Sequence, residues 1–366
     1  VCITPLTDER SHLSTIFSCN AGFLDKHAND IVALLLEVLP AYTLRPQQEA
    51  VNQLVRLAVQ QEAFLKPLAA AIIRQAASKP PPQTAFVLLE WSSFVLSELQ
   101  PANAQKAVRK LLEEQGVLLD SIWDGQRHWK ASARVMRGML RSNPELVVEA
   151  LQVAAAGSSP GLTRALLEAV AGTPNQQAAS EILLPVLCEK VIGGRDKPSP
   201  HTLAAYGPLL AALSSEDFSQ KLLPAALRAL RRTPEPAMHA LAGLLPSLTA
   251  DISGCVSELV TVLLQQLRAK EAVRPAALVT LSAAAARVGD PVVLEQLVKQ
   301  VAAVLDGSAE GKVKVAAERA ALAAAMGALA AAAGGPGGSG GAQDRGAAAG
   351  ATATNICCKL YQEECK

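Results

Sequence analysis

The sequence predicts an all-α fold, a right-handed solenoid of stacked antiparallel helix pairs, and three observations carry that prediction. Apolar residues recur at helical spacing along nearly the whole chain. Strand signals are nearly absent: no sustained alternation is enriched in β-branched and aromatic residues, and no Asn-Gly or Asp-Gly turn joins two such runs. With 366 residues the chain is too long for one compact core. A solenoid escapes that limit because each hairpin touches only its neighbours. Aromatic residues make up 3% against 50% for the AVILMFWYC set, so the core is leucine, valine and alanine.

The clearest unit is the stretch 214–248. Ser214 is placed to accept from the amide three residues on and Asp217 to reach back, as in a capping box. Phe218, Leu222, Leu223, Ala226, Leu227 and Leu230 then form one stripe. Arg228, Arg231 and Arg232 crowd the last turn, where exposed carbonyls favour positive charge. Thr233-Pro234-Glu235 supplies a cap, a first-turn proline and an early acid for a second helix. Met238, Leu241, Leu244, Leu245 and Leu248 line that helix. Paired leucines followed by proline recur as Leu183-Leu184-Pro185, Leu222-Leu223-Pro224 and Leu244-Leu245-Pro246, and each proline predicts a bent first helix. Kinked first helices in successive hairpins resemble HEAT/armadillo repeats.

Taken in order, residues 1–27 carry weak periodicity and no assigned element. Helices are expected over 29–40, 46–60 and 62–78, then a hard break at Lys79-Pro80-Pro81-Pro82. The next helix, 83–99, carries Phe86, Val87, Leu89, Trp91, Phe94 and Val95 nearly all round, so it is the most buried. Helices follow over 102–114, 117–123, 128–142, 145–155, 161–170, 175–191 and 202–213. Beyond the 214–248 hairpin come 253–267, 273–288, 291–305 and 312–333. The solenoid is therefore expected to occupy 28–333, as seven or eight hairpins. The Gly/Ala-rich segment 334–355 cannot bury enough surface to order itself and reads as a disordered linker. Residues 356–366 form a tail with Cys357, Cys358 and Cys365, an abrupt change that reads as an aberrant or spliced end. The first residue is Val1, which suggests a fragment of something larger.

Lys and Arg total 34 against 33 Asp and Glu, so no global charge bias toward nucleic acid, membrane or an acidic partner exists. The seven cysteines are scattered, without metal-ligand spacing or a disulfide framework, as expected in a reducing compartment. No run suits a membrane span. No phosphate loop, GxGxxG, HExxH or GxSxG motif occurs, and the five histidines lie far apart. No catalytic, metal or cofactor-binding residue and no small-molecule substrate is expected; the chain reads as a non-enzyme.

One surface pattern rises above background. Arg127, Lys130, Arg134, Arg137 and Arg141 follow spacings of 3, 4, 3 and 4 and form one basic stripe on a helix. Three readings stand beside one another: a solvated face neutralised by Glu113, Glu114 or Asp120, a contact for RNA phosphates, or a contact for an acidic protein surface. Trp123 and Trp129 flank its start, as packing or as a base-stacking platform.

Val38-Leu39-Pro40-Ala41-Tyr42, the Leu89-Glu90-Trp91-Ser92-Ser93 core, the 214–249 hairpin and Leu305-Asp306-Gly307-Ser308-Ala309-Glu310-Gly311 together resemble the general control non-derepressible translational activator family. The likeness covers about residues 28–330 and is closest to the N-terminal region of plant and algal members. It implies a cytosolic, ribosome-associated HEAT scaffold that helps uncharged tRNA activate the kinase acting on the alpha subunit of initiation factor two. Its implied partners are the ribosome and translation-control factors. No kinase-contact residue is carried over, since that surface lies elsewhere in the family. The sequence departs from the family after Ala333 and at Tyr42-Thr43-Leu44-Arg45. A transport or vesicle-adaptor scaffold is the alternative, and an all-helical enzyme would need a cleft gathering His, Asp, Glu or Cys.

Overall fold

The computed structural model describes residues 21–38, 45–99, 101–123, 129–269, 273–307 and 327. All regular structure among them is helical, as an all-α, HEAT-like repeat fold requires. None of these helices is long and apolar enough to cross a membrane. The chain divides into two compact units, with the boundary between Leu183 and Leu184. Apart from residue 327, the helix expected over 312–333 lies outside the described residues, as do the linker and the cysteine tail.

The first unit contains α1 (Ala21–Val38), α2 (Arg45–Ala58), α3 (Glu62–Ala77), α4 (Pro82–Glu98), α5 (Pro101–Trp123), α6 (Trp129–Ser142), α7 (Leu146–Ala156) and α8 (Pro160–Val170). Helix α1 packs on α3, α3 on α5 and α5 on α7, while α2 packs on α4, α4 on α6 and α6 on α8. Odd helices make one layer and even helices the other. The pairs α3–α4, α4–α5 and α7–α8 join the two. This is the two-layer stacking that amphipathic hairpins adopt when each covers its neighbour's apolar face.

Helix α4 is the centre of this unit, as its encircling apolar residues predict. Pro82 occupies its first turn, where a missing amide hydrogen costs nothing. Leu88, Leu89, Trp91, Val95 and Leu96 are fully buried. The indole Nε1 of Trp91 donates to Asn52 Oδ1 at 2.8 Å, and Asn52 Nδ2 donates to Glu90 Oε2 at 2.7 Å. One asparagine of α2 thus serves two adjacent residues of α4. Burial pushes the Glu90 carboxyl above its usual range; the Asn52 hydrogen bond pulls it back in part, and the Glu49 charge adds to the rise. A raised folded-state pKa means that protonated Glu90 favours folding: its contribution is complete below the unfolded value of 4.5 and is lost as pH rises through the folded value. Glu90→Gln keeps an acceptor for Asn52 without the buried charge. It should therefore raise the urea midpoint at pH 7 and lose that advantage below about pH 4.5; a pH-independent difference would contradict this.

Helix α5 corrects the sequence reading. Two helices are expected, over 102–114 and 117–123, and one runs through, with a kink only at Ala104 (φ −134°, ψ 27°). Gly116 is not a break. A Cβ there would lie 3.0 Å from Ser159 Cβ, because the start of α8 comes down on α5 at this point. Gly161 is tighter: an added Cβ would sit 2.7 Å from Asp120 Oδ1 and 2.8 Å from its backbone nitrogen, while the Gly161 amide donates to Asp120 Oδ1 at 2.7 Å. Gly161→Ala must push helix backbones apart and should cost about 1–3 kcal/mol, seen as a lower urea midpoint. An unchanged midpoint would mean that the crossing is loose.

The second unit contains the π-helical turn Leu187–Ile192, α10 (Pro200–Ala205), α11 (Gly207–Ala211), α12 (Leu223–Arg232), α13 (Pro234–Leu244), α14 (Val256–Ala269), α15 (Arg274–Ala285) and α16 (Pro291–Gly307). Helix α9 (Gln176–Val186) runs directly into that turn. Helix α12 packs on α14 and α14 on α16; α13 packs on α15. The predicted proline bends take a specific form. Pro185 lies inside α9 just before the π turn, and a second π turn, Phe218–Leu222, directly precedes Leu223-Pro224. There the Leu223 amide bonds to Phe218 O, five residues back. A widened turn makes room where a proline ring crowds the preceding carbonyls and its nitrogen cannot donate. Pro246 behaves otherwise: α13 ends at Leu244 and a 3₁₀ turn, Leu245–Ser247, replaces the expected bend.

The cap at Ser214 is as expected on one side, with Asp217 N donating to Ser214 Oγ at 3.0 Å. Asp217 reaches back to the hydroxyl rather than the backbone, Ser214 Oγ donating to its Oδ2 at 2.9 Å. Thr233 makes no side-chain cap bond; its hydroxyl points to the carbonyls of Gly194 and Ala229, each 3.5 Å away.

Several side-chain ties between neighbouring hairpins fall at similar spacings. Thr249 Oγ1 donates to Ala211 O, 38 residues away, and Ser215 Oγ to Asp251 O, 36 away. Gly289 N donates to Asp251 Oδ1, 38 away, and Gln300 Nε2 to Thr261 Oγ1, 39 away. In the first unit Asn52 and Trp91 are 39 apart, as are Trp129 and Glu168. The repeat is therefore near 39 residues long. Asp251 also accepts from both the amide and the hydroxyl of Ser253. Burial alone would raise its carboxyl, but these bonds from Ser253 and Gly289 hold it below its usual value.

Candidate functional site

Helix α6, WKASARVMRGMLRS, divides cleanly into two faces. Trp129, Ser132, Ala133, Met136, Met139 and Leu140 are buried against α4 and α8. Lys130, Arg134, Arg137 and Arg141 are exposed on the other side. The helix contains no acid, and its cations run about 16 Å along the axis at 1.5 Å per residue. The fifth member of the predicted stripe, Arg127, lies outside the described residues.

Two of the three acids expected to neutralise this face pair with other cations. Glu113 pairs with Arg109 and Lys110, at 3.9 and 3.6 Å, and Glu114 with Lys110 at 2.7 Å. Asp120 accepts from Gly161. Among the described residues Lys130, Arg134 and Arg141 form no ion pair, so these three side chains are uncompensated as well as exposed. Arg137 differs from the other three: its Nη2 donates to the Glu168 backbone carbonyl, 2.7 Å away, near the end of α8.

The tryptophans beside the stripe are packing residues. Trp129 is 8% exposed, its ring lies 5.0 Å from that of Trp123, and its Nε1 donates to Glu168 Oε1 at 3.3 Å. The Arg164 guanidinium stacks 4.9 Å from Trp123 and 5.3 Å from Trp129 and donates from Nε to Glu168 Oε1 at 2.7 Å. Cation–π contact and ion pair together fix this cluster. Sequence reasoning missed Arg164 and Glu168. The available signal was their place about one repeat after the tryptophans, which only the measured period makes visible.

Other chemistry is sparse among the described residues. No group of three His, Cys, Asp or Glu side chains is placed to hold a metal. Burial pushes the Cys188 thiol up to about 11 and raises that of Cys255, so neither is a thiolate at neutral pH. A hollow of about 330 Å³ between α5 and the α7–α8 turn is lined by Arg109, Glu113, Val117, Asp120, Val153 and Leu162, and its acids are the ones already bonded.

Residues 180–313 match the family described as "Stalled ribosome sensor GCN1 N-terminal". Over 307 residues, 81% of the chain, it is 26% identical to Protein ILITYHIA of Arabidopsis thaliana, of which it covers 11%. Over 255 residues, 66% of the chain, it is 26% identical to human "Stalled ribosome sensor GCN1" and 25% to the mouse protein, covering 10% of each. The chain thus spans about a tenth of the length of these relatives.

Proposed function

Because the chain is a GCN1-like N-terminal region of plant type, we propose that it is a segment of a non-enzymatic scaffold in translational control that docks on the ribosome. The observation that carries this reading is the exposed, unpaired basic face of α6. Phosphates would be met by Lys130, Arg134, Arg141 and the remaining nitrogens of Arg137; in the sequence pattern Arg127 belongs to the same stripe. Attraction of this kind is backbone-directed and sequence-independent, which suits a scaffold that lies along structured RNA. The name of the human relative, a stalled-ribosome sensor, supports the same assignment; on the family resemblance the location would be cytosolic. On the family resemblance, the complete scaffold would help activate the kinase that phosphorylates the alpha subunit of initiation factor two; no residue here is assigned to that contact.

The test is co-sedimentation of the purified chain with ribosomes. Binding at about 50 mM salt that falls steeply by about 200 mM is expected. A chain that stays in the supernatant at low salt would overturn the reading.

A further inference from the structure

A second basic cluster, in the other unit, has a different shape. Arg228, Arg231 and Arg232 stand at i, i+3 and i+4 near the end of α12, hence on one side of that helix, and all three are exposed. The loop 193–199 is held beside them. Thr233 Oγ1, one residue past Arg232, lies 3.5 Å from the carbonyl of Gly194, and Lys197 Nζ pairs with Glu235 Oε1 at 2.6 Å. Exposed Arg195 therefore emerges next to the end of α12.

The nearby lysines are neutralised and the arginines are not. Lys197 holds Glu235, and Lys221 holds Asp217 at 2.6 Å; both carboxylates are kept below their usual range by these hydrogen bonds. Arg195, Arg231 and Arg232 make no ion pair among the described residues, and Arg228 donates only from Nε, to Pro224 O at 3.3 Å. Asp196 and Glu189 are the other carboxylates on these segments. A cation in the last turn of a helix is favourable. Three on one face repel one another, and a fourth brought in by a separate loop adds repulsion that the helix end does not require.

We propose that Arg195, Arg228, Arg231 and Arg232 form a docking site for a phosphorylated, acidic segment of a partner protein. Its compactness separates it from the α6 face. Arg228 to Arg232 spans about 6 Å along the axis, suited to one highly charged group rather than a polymer track. Guanidinium forks bind phosphate oxygens in pairs, which lysine cannot do. A phosphoserine supplies three such oxygens and nearly two charges, and arginine clusters are a general means of reading it. This assignment stands independently of the ribosome reading.

The probe is a fluorescent peptide of alternating aspartate and phosphoserine, titrated with the full chain. Wild-type chain should bind it at least about tenfold more tightly than the same peptide without phosphate. Arg195→Gln, Arg231→Gln and Arg232→Gln together should abolish that preference with the helical circular dichroism unchanged. The charge-keeping pair Arg231→Lys and Arg232→Lys should weaken phosphopeptide binding severalfold. Equal affinity for the two peptides, wild-type binding by either variant, or displacement of the phosphopeptide by oligouridine would each overturn the proposal, the last by making the cluster an RNA surface.

Discussion

Replacing Lys130, Arg134 and Arg141 together by glutamine should flatten the salt dependence of ribosome binding by about two to three units of slope and weaken binding at low salt by more than an order of magnitude. Each cation that neutralises a phosphate releases condensed counterion, so removing one such cation lowers the slope by about 0.7 to 0.9. These three side chains are the right ones because they are exposed and unpaired. Arg137 is left in place, since its bond to the Glu168 carbonyl would confuse weaker affinity with weaker packing. Exposed substitutions of this kind usually change stability by less than about half a kcal/mol. Affinity measured across a salt series checks the expectation; a slope unchanged in the folded triple variant would leave α6 a solvated face.

Trp91→Ala should be the most damaging single substitution in the first unit, at about 3–5 kcal/mol. The indole is fully buried, so its removal opens a cavity in a helix that packs on α2, α3, α5 and α6. It also deprives Asn52 Oδ1 of its donor, leaving a part-buried amide oxygen unsatisfied. Trp91→Phe separates the two effects, keeping most of the apolar volume while losing the hydrogen bond. Urea unfolding with hydrogen exchange of the α4 amides gives the readout. A loss below about 1 kcal/mol for the alanine variant would mean that neighbouring side chains collapse into the space.

The fold was legible where apolar period and punctuation agree. Helix α4 follows from Pro82 and its encircling apolar residues, and α3, α6 and α8 fall within a residue or two of their expected ends. The failures share a cause: a residue that looks local answers to a distant neighbour. The gap expected between 114 and 117 closes into one helix, with Gly116 set against Ser159. Thr233 reads as a cap, yet its hydroxyl is turned toward Gly194. Pro246 ends a helix where Pro185 and Pro224 adjoin widened turns. The basic row on α6 was legible because a single helix carries it, whereas the Arg164–Glu168 pairing and the approach of Arg195 to α12 need the hairpins stacked first.

The similar spacing of many ties between hairpins bears on how the chain is made. Thr249 to Ala211 and Gln300 to Thr261 close loops of 38 and 39 residues, and such loops do not lengthen as more repeats are added. Absolute contact order therefore stays fixed with chain length, and the entropy of closing each loop is the same for the last repeat as for the first. During synthesis at about 5–20 residues per second, each repeat can complete its core within seconds of its neighbour emerging. A scaffold as long as the relatives, of which this chain covers about a tenth, then presents the nascent chain with no harder folding problem than these few hairpins do.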